Sequence, residues 1–317
     1  MKNWRLSAGT ASILGWKHCN TDVLPTTAYV MVGEKCRNKC QFCTQSSKSQ
    51  SFPGRLSRIS WLKYDRTKTA QAIAAAYRQS KVTRACLQVV YSDGSHAGVL
   101  DAIQLLRSHT EMPISVSCHL ETMTKAQEIF QKGADRVCIA LDAATPELYN
   151  QIKGVDWQEK WQLLNDCITR FPGKVVTHLI VGLGETEEQM ICRLAACRKM
   201  GIEIALFSFT PVKGIVMECN SPPEIGHYRR VQIAAYLLKL GYPSSIFSYS
   251  DGRLTAVNIP AVLLKKILRN GDAFVVSGCH GCNRPYYNES PGKVMYNFPR
   301  SLIPAEIEQA LHECGLM

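Results

Sequence analysis

The chain has 317 residues, of which 46% are hydrophobic and 20% charged, a balance that supports one barrel-sized core or two smaller ones. No run approaches the roughly eighteen apolar residues of a membrane span. The opening MKNWRLSAGTASILGWKHCN is broken by polar residues where a secretory signal needs an apolar stretch, so a soluble cytoplasmic protein with no membrane partner is expected. A formal charge of +11 points to an acidic partner, whether nucleic acid, an anionic cofactor or an acidic carrier protein, with plain solubility as the alternative.

Taken in order, short apolar runs at 27–32, 85–91, 114–118, 136–141, 175–181 and 203–209 are expected to be buried parallel strands. Amphipathic spacing predicts helices at 67–80, 97–108, 124–131, 157–170 and 187–200. Several of these end in Gly or soon meet Pro, as at Gly133, Pro172 and Gly201. A weaker continuation follows: a helix at 224–240, a short run at 245–249, a helix at 261–269 and a strand at 273–276. No linker, repeat or low-complexity segment divides the chain. The alternation implies an α/β fold, a partial to full TIM-type barrel with a (β/α)6 core. Its expected layout is an N-terminal segment (1–25), the barrel (26–277) and a C-terminal extension (278–317), whose helix at 304–312 plugs or covers the barrel. Function then belongs at the C-terminal ends of the strands.

Fourteen cysteines in a chain without a visible export signal suggest metal or redox chemistry. The first expected strand runs directly into Cys36-Arg37-Asn38-Lys39-Cys40-Gln41-Phe42-Cys43. Three thiolates on so tight a loop suit three corners of a [4Fe–4S] cube with one iron left open, or a structural zinc given a fourth ligand. C-x3-C-x2-C with an aromatic before the last cysteine, placed after strand one, resembles the radical S-adenosylmethionine (SAM) superfamily. The resemblance implies that Cys36, Cys40 and Cys43 hold a [4Fe–4S] cluster whose open iron binds SAM. Reductive cleavage of SAM then yields a 5′-deoxyadenosyl radical that takes hydrogen from the substrate.

The same resemblance sets Phe42 beside the adenine, with simple packing as its alternative. It lays Gly182 and Gly184, in LIVGLGET, along the adenine, although glycines there also suit a strand-to-helix turn. Asp142, in ALDAATPELY, becomes a candidate for the ribose hydroxyls, against a cap or turn role. Many members carry Gly-Gly-Glu after strand two, where this chain has Val90-Tyr91-Ser92-Asp93-Gly94; Ser92 and Asp93 are the candidate replacements for holding the SAM amine.

A second pair, Cys279-His280-Gly281-Cys282, follows the expected late strand and should emerge near the active face. It reads as half of an auxiliary iron–sulfur centre or as a disulfide-exchange motif, with Cys19 or Cys118 as further ligands. Cys86 and Cys118 match strand positions where biotin synthase carries auxiliary-cluster cysteines, while Val176 breaks that pattern. Over most of its length, through TTAYVMVGEKC, Arg55-Leu56-Ser57-Arg58 and SGCHGCNRPYYNESPG, the chain resembles the first subunits of two-component lipoyl synthases. That implies sulfur insertion into an octanoyl chain on an acidic carrier protein, a second lipoyl synthase subunit as partner, and an electron donor such as ferredoxin or flavodoxin. Arg55, Arg58, Arg284 and Arg300 are candidates for the barrel mouth or substrate contacts. Another radical SAM reaction, such as biotin-type sulfur insertion, methylation, a mutase rearrangement or cofactor maturation, is the nearer alternative. A zinc-stabilised nucleic-acid-binding protein is the distant one, though no exposed aromatic stacking residues support it.

Overall fold

The computed structural model describes residues 2–289 and 292–316. The first half runs β1 (Asn3–Ser7), α1 (Ala8–Ile13), β2 (Thr27–Val32), β3 (Arg55–Leu56), β4 (Ile59–Asp65), α2 (Arg66–Arg78), β5 (Arg84–Val89), α3 (Ser95–Arg107), β6 (Ile114–Ser117), α4 (Met123–Gln131) and β7 (Arg136–Cys138). It continues through α5 (Pro146–Lys153), α6 (Trp157–Arg170), β8 (Val175–Val181), α7 (Glu187–Lys199), β9 (Glu203–Ser208), α8 (Ile225–Lys239), β10 (Phe247–Ser250), β11 (Arg253–Val257), α9 (Ala261–Leu268) and α10 (Pro304–Cys314).

Nine strands form one sheet in the order β3-β4-β1-β2-β5-β6-β7-β8-β9. From β2 to β9 every pairing is parallel, with Tyr29 opposite Cys86, Cys86 opposite Ser115 and Ser117 opposite Cys138. These six strands are the expected (β/α)6 arc. Their sequences are apolar almost throughout, as in VVTHLIV of β8, because the helices cover one face and the barrel interior the other. Ile73, Ile103, Ile129, Leu164 and Leu194, from α2, α3, α4, α6 and α7, are all buried in the core. Local sequence sets the helix starts. Thr122, Thr145, Asp156 and Thr186 each accept a backbone N–H from the first turn, and Thr186 forms a full capping box with Gln189.

Several expectations give way. β1 and β4 extend the sheet antiparallel beyond β2, and neither was anticipated, because β1 is short and carries Arg5, while β4 buries little besides Trp61. The eight-strand extension does not form: residues 272–274 make a 3₁₀ turn, and Val275 makes only an isolated bridge to Phe298. Of the run at 245–249, the first two residues end a 3₁₀ turn and the last three enter β10, which pairs with β11 in a separate two-stranded hairpin. The C-terminal helix does not plug the barrel. It lies on α8, where Arg229 Nε donates to Glu313 Oε2 at 2.8 Å and Arg230 Nη1 donates to the Cys314 carbonyl at 3.0 Å.

Candidate functional site

β2 delivers the chain to the C-terminal face of the arc, where Gly33 turns it at φ +103°; a Cβ there would stand 2.7 Å from the Val90 carbonyl, so a side chain is excluded. The loop beyond is fastened by its own backbone: Arg37 N donates to Tyr91 O at 2.8 Å, Ser46 N to Cys43 O at 3.1 Å and Ser47 N to Asn38 O at 2.9 Å. Cys36, Cys40 and Cys43 are unpaired thiols. Together they line a cavity of about 170 Å³ with Phe42, His119, Asp142, Lys153 and Lys160. Burial pushes the Cys40 thiol up to about 11, against the pull of Lys153, and the Cys43 thiol up to about 12 with help from Cys40. Among the described residues no three His, Cys, Asp or Glu side chains are gathered tightly enough to hold a single ion. An open ring of three thiols on one loop suits a cluster, whose several irons hold their ligands further apart than one ion does.

Two lysines that the sequence does not mark complete the charge of this cavity. Lys153 Nζ lies 2.6 Å from Asp142 Oδ2 and 2.7 Å from the Ala140 carbonyl, and Lys160 Nζ donates to Leu120 O at 2.5 Å. Both are nearly inaccessible, and both face a space that three thiolates would make anionic. A lysine on an amphipathic helix ordinarily reads as a solvated head, so only the fold reveals them. Asp142 stands at φ +65°, bracketed by hydrogen bonds with His178 O and Ile180 N at 2.8 Å each. It borders both this cavity and a larger one, as Phe42 does.

Other expected cofactor contacts fall elsewhere. Ser92 and Asp93 line an adjoining cavity of about 180 Å³ with His96, Glu121 and Lys125, and Asp93 pairs with Arg37 at the surface. Gly182 packs on Pro223, which a Cβ would approach to 2.7 Å, and with Gly184 it forms the turn that Glu185 closes by accepting the Gly182 and Leu183 N–H groups at 2.7 and 3.0 Å. Neither glycine lines these cavities.

The larger cavity, about 360 Å³ and mainly apolar, runs from Phe42 and Cys43 down the barrel to a floor made by the C-terminal extension. Residues 277–289 cross the open seam between β9 and β2. On the β9 side Ser277 Oγ accepts from Leu206 N at 2.9 Å, and Asn288 Nδ2 donates to Ser208 O at 2.7 Å. On the β2 side Asn283 Oδ1 accepts from Thr26 N at 2.9 Å, and its Nδ2 donates to Leu24 O at 3.0 Å. Ser290 and Pro291 of the same motif lie outside the described residues.

Cys279 and Cys282 therefore sit at the N-terminal ends of the strands, opposite the face first expected for them. The reason is the 3₁₀ turn: without a seventh parallel strand, the chain is never carried to the top. Arg84 anchors this floor, reaching His280 O at 3.1 Å, Ser115 Oγ at 3.1 Å and Asp135 Oδ2 at 2.7 Å. Cys282 lies 3.0 Å from Tyr29 Oη, and Cys279 lies 3.6 Å from Ser115 Oγ. Around them the sheet places Cys86 and Cys138, whose thiols are pushed up by burial and then by the neighbouring Cys279 thiol. Cys19 borders the same cavity but donates to Ala8 O at 3.4 Å. Cys118 does not join the group; it faces the two smaller cavities. Cys138 was missed because a cysteine within a buried strand looks like any small core residue.

A parallel half-barrel with a three-cysteine loop above the first of its parallel strands defines a radical SAM fold and site. The sequence signature of the radical SAM superfamily matches residues 30–195, and the chain belongs to that superfamily, whose members bind a [4Fe–4S] cluster and SAM. Relatives include lipoyl synthase of Nitrosospira multiformis, 26% identical over 185 residues and 56% of each chain. Lipoyl synthase of Acidovorax ebreus is 27% identical over 192 residues, 56% of this chain and 54% of its own. The chain thus spans about half the length of the curated relatives it matches. Solved structures that share the fold include the following two. The FeFe-hydrogenase maturase HydG from Carboxydothermus hydrogenoformans has a TM-score of 0.56 at 17% identity, covering 92% of this chain and 66% of its own. Methylornithine synthase (PylB) has a TM-score of 0.54 at 14% identity, covering 92% and 82%.

Proposed function

We propose that this enzyme inserts sulfur into an octanoyl chain attached to an acidic lipoyl carrier protein, together with a second lipoyl synthase subunit and a ferredoxin- or flavodoxin-type donor. The observation that carries the reading is one apolar cavity with Cys43 of the loop triad at its upper end and Cys86, Cys138, Cys279 and Cys282 at its floor. Cys36, Cys40 and Cys43 would hold the radical-generating cluster at the top. Cys86, Cys138, Cys279 and Cys282 would hold an auxiliary centre at the floor. Bound there, the first group would supply the electron that cleaves SAM, and the second would supply sulfide together with iron able to take up the electron left over as carbon bonds to sulfur.

The protein's own part is placement and dryness. Phe42 and Asp142 border the space where the nucleoside would lie, and Lys153 holds the Asp142 carboxylate in a fixed direction. Tyr29, Phe207 and Tyr287 line the walls that would receive an aliphatic chain between the two centres. Breaking an unactivated C–H bond needs a radical that only a cofactor supplies, and water in the cavity would weaken every charge contact there. The two lipoyl synthase relatives support the substrate class. The net positive charge supports steering of an acidic carrier.

The test is iron and sulfide analysis of anaerobically reconstituted protein. Wild type should hold about eight irons and the Cys36→Ala/Cys40→Ala/Cys43→Ala variant about four, as for two cubane clusters. The Cys279→Ala/Cys282→Ala variant should still cleave SAM but form no sulfur product from an octanoylated carrier. If wild type binds only about four irons and the triple variant none, the floor holds no cluster and sulfur insertion is the wrong reaction.

A further inference from the structure

Arg5 lies on β1, outside the segment that matches the superfamily, and is 4% exposed. It is set between two strands, opposite Met31 of β2 and Lys63 of β4. Among the described residues its guanidinium pairs with no carboxylate. Nη2 donates to Gly33 O at 2.8 Å and Glu34 O at 3.1 Å, just before Cys36, and reaches Gln45 Oε1 at 3.4 Å, just after Cys43. Nη1 donates to Pro53 O at 2.5 Å. Gln45 extends the same knot, its Nε2 reaching Pro53 O at 2.9 Å and Arg55 O at 2.5 Å. Nε finds no acceptor among the described residues, so the hydrogen bonds of the fork all go to the loop and its flanks.

We infer that Arg5 is a positioning residue for the cluster loop: one buried guanidinium joins the chain entering the cysteine triad to the chain leaving it. The physical reason is geometric. A loop that must present three thiolates in one orientation loses conformational entropy, and tying both its ends to a single planar fork lowers what cluster binding must still order. The antiparallel addition of β1 to the sheet thereby has a functional consequence, because it carries the clamp. A lysine would keep the charge but cannot span both flanks.

The test compares wild type, Arg5→Lys and Arg5→Met, each in the Cys279→Ala/Cys282→Ala background so that iron is held by the loop alone. Hydrogen exchange is followed in iron-free protein, and iron loss to a ferrous chelator is followed after reconstitution. Both substitutions should speed exchange across residues 33–55 and iron release by about tenfold or more, since the buried Gly33 carbonyl and the half-buried Glu34 and Pro53 carbonyls lose their donor and local opening becomes easier. Exchange in β8 and β9 should stay at the wild-type rate. A folded variant with wild-type iron release overturns the inference, as does a change confined to β1 and β4. If Arg5→Met fails to fold, Arg5→Lys gives the reading; failure of both assigns Arg5 to the barrel and removes it from the loop. None of these outcomes depends on sulfur insertion.

Discussion

Glu185 is 7% exposed and sits in the turn after β8, accepting two backbone N–H groups, yet burial outweighs those bonds and raises its carboxyl to about 7. A folded-state value above the unfolded one means that the native protein holds this proton more tightly. The group therefore costs nothing well below its unfolded value, and its penalty grows as pH rises toward and through 7, reaching about 3 kcal/mol. Glu185→Gln cannot ionise. Its melting temperature should gain on wild type steadily between pH 5 and pH 8, as read by calorimetry in iron-free protein. A constant offset across that range would show the carboxyl to be ionised throughout. At this scale the sequence was readable where spacing carried the chemistry. Cys36, Cys40 and Cys43 fall on one loop, so their convergence needs no tertiary knowledge. Cys86 and Cys138 meet Cys279 and Cys282 only through strand register and a chain reversal, and Lys153 and Lys160 look like surface lysines until the helices are packed.

Between elements, the clearest joint is the buried pair of Arg230 on α8 and Glu187 on α7, 2.6 Å apart with side chains 6% and 5% exposed. Glu187 also accepts from Leu254 N at 2.9 Å, so one carboxylate ties α7 to α8 and to the β11 strand of the outer hairpin. Arg230→Met leaves that carboxylate buried without its cation and should cost about 3–5 kcal/mol in chemical denaturation. Adding Glu187→Leu should recover part of the loss, because the pair is dearer to break than to replace. Additive losses in the double variant would mean that the two side chains act independently. The parallel strands and their helices were legible because period and apolar runs follow directly from burial on both faces. β1 and β4 were not, since each shows solvent or a charged residue on part of its length, and the strand expected at 273–276 is an apolar run that pairs only through the isolated bridge of Val275 to Phe298.

For the molecule as a whole, the consequence of stopping at six parallel strands is an open seam between β9 and β2, and the chain closes it with side chains in place of a ladder. Asn288 serves the β9 edge with both its amide groups, donating to Ser208 O and accepting from Ser208 N at 3.4 Å, while Asn283 serves the β2 side. Because Cys279 and Cys282 ride on this strap and Cys86 and Cys138 on the sheet, the floor thiols converge only while the strap is seated. Asn283→Ala together with Asn288→Ala should unseat it: the second leaves the buried Ser208 backbone groups unpaired at about 1–3 kcal/mol, and the first removes the more exposed tie to Thr26 and Leu24. Exchange across residues 277–289 should then rise by an order of magnitude or more, since opening of a segment follows the bonds that hold it. The sheet from β2 to β8 should keep its protection. Iron retained when the two asparagine changes are added to the triple cysteine variant should fall, while the same two changes in protein with Cys36, Cys40 and Cys43 intact should leave SAM cleavage in place. Wild-type exchange in the strap would mean that packing of Arg284 over Phe207, at 4.1 Å from the ring centre, holds it without the two asparagines.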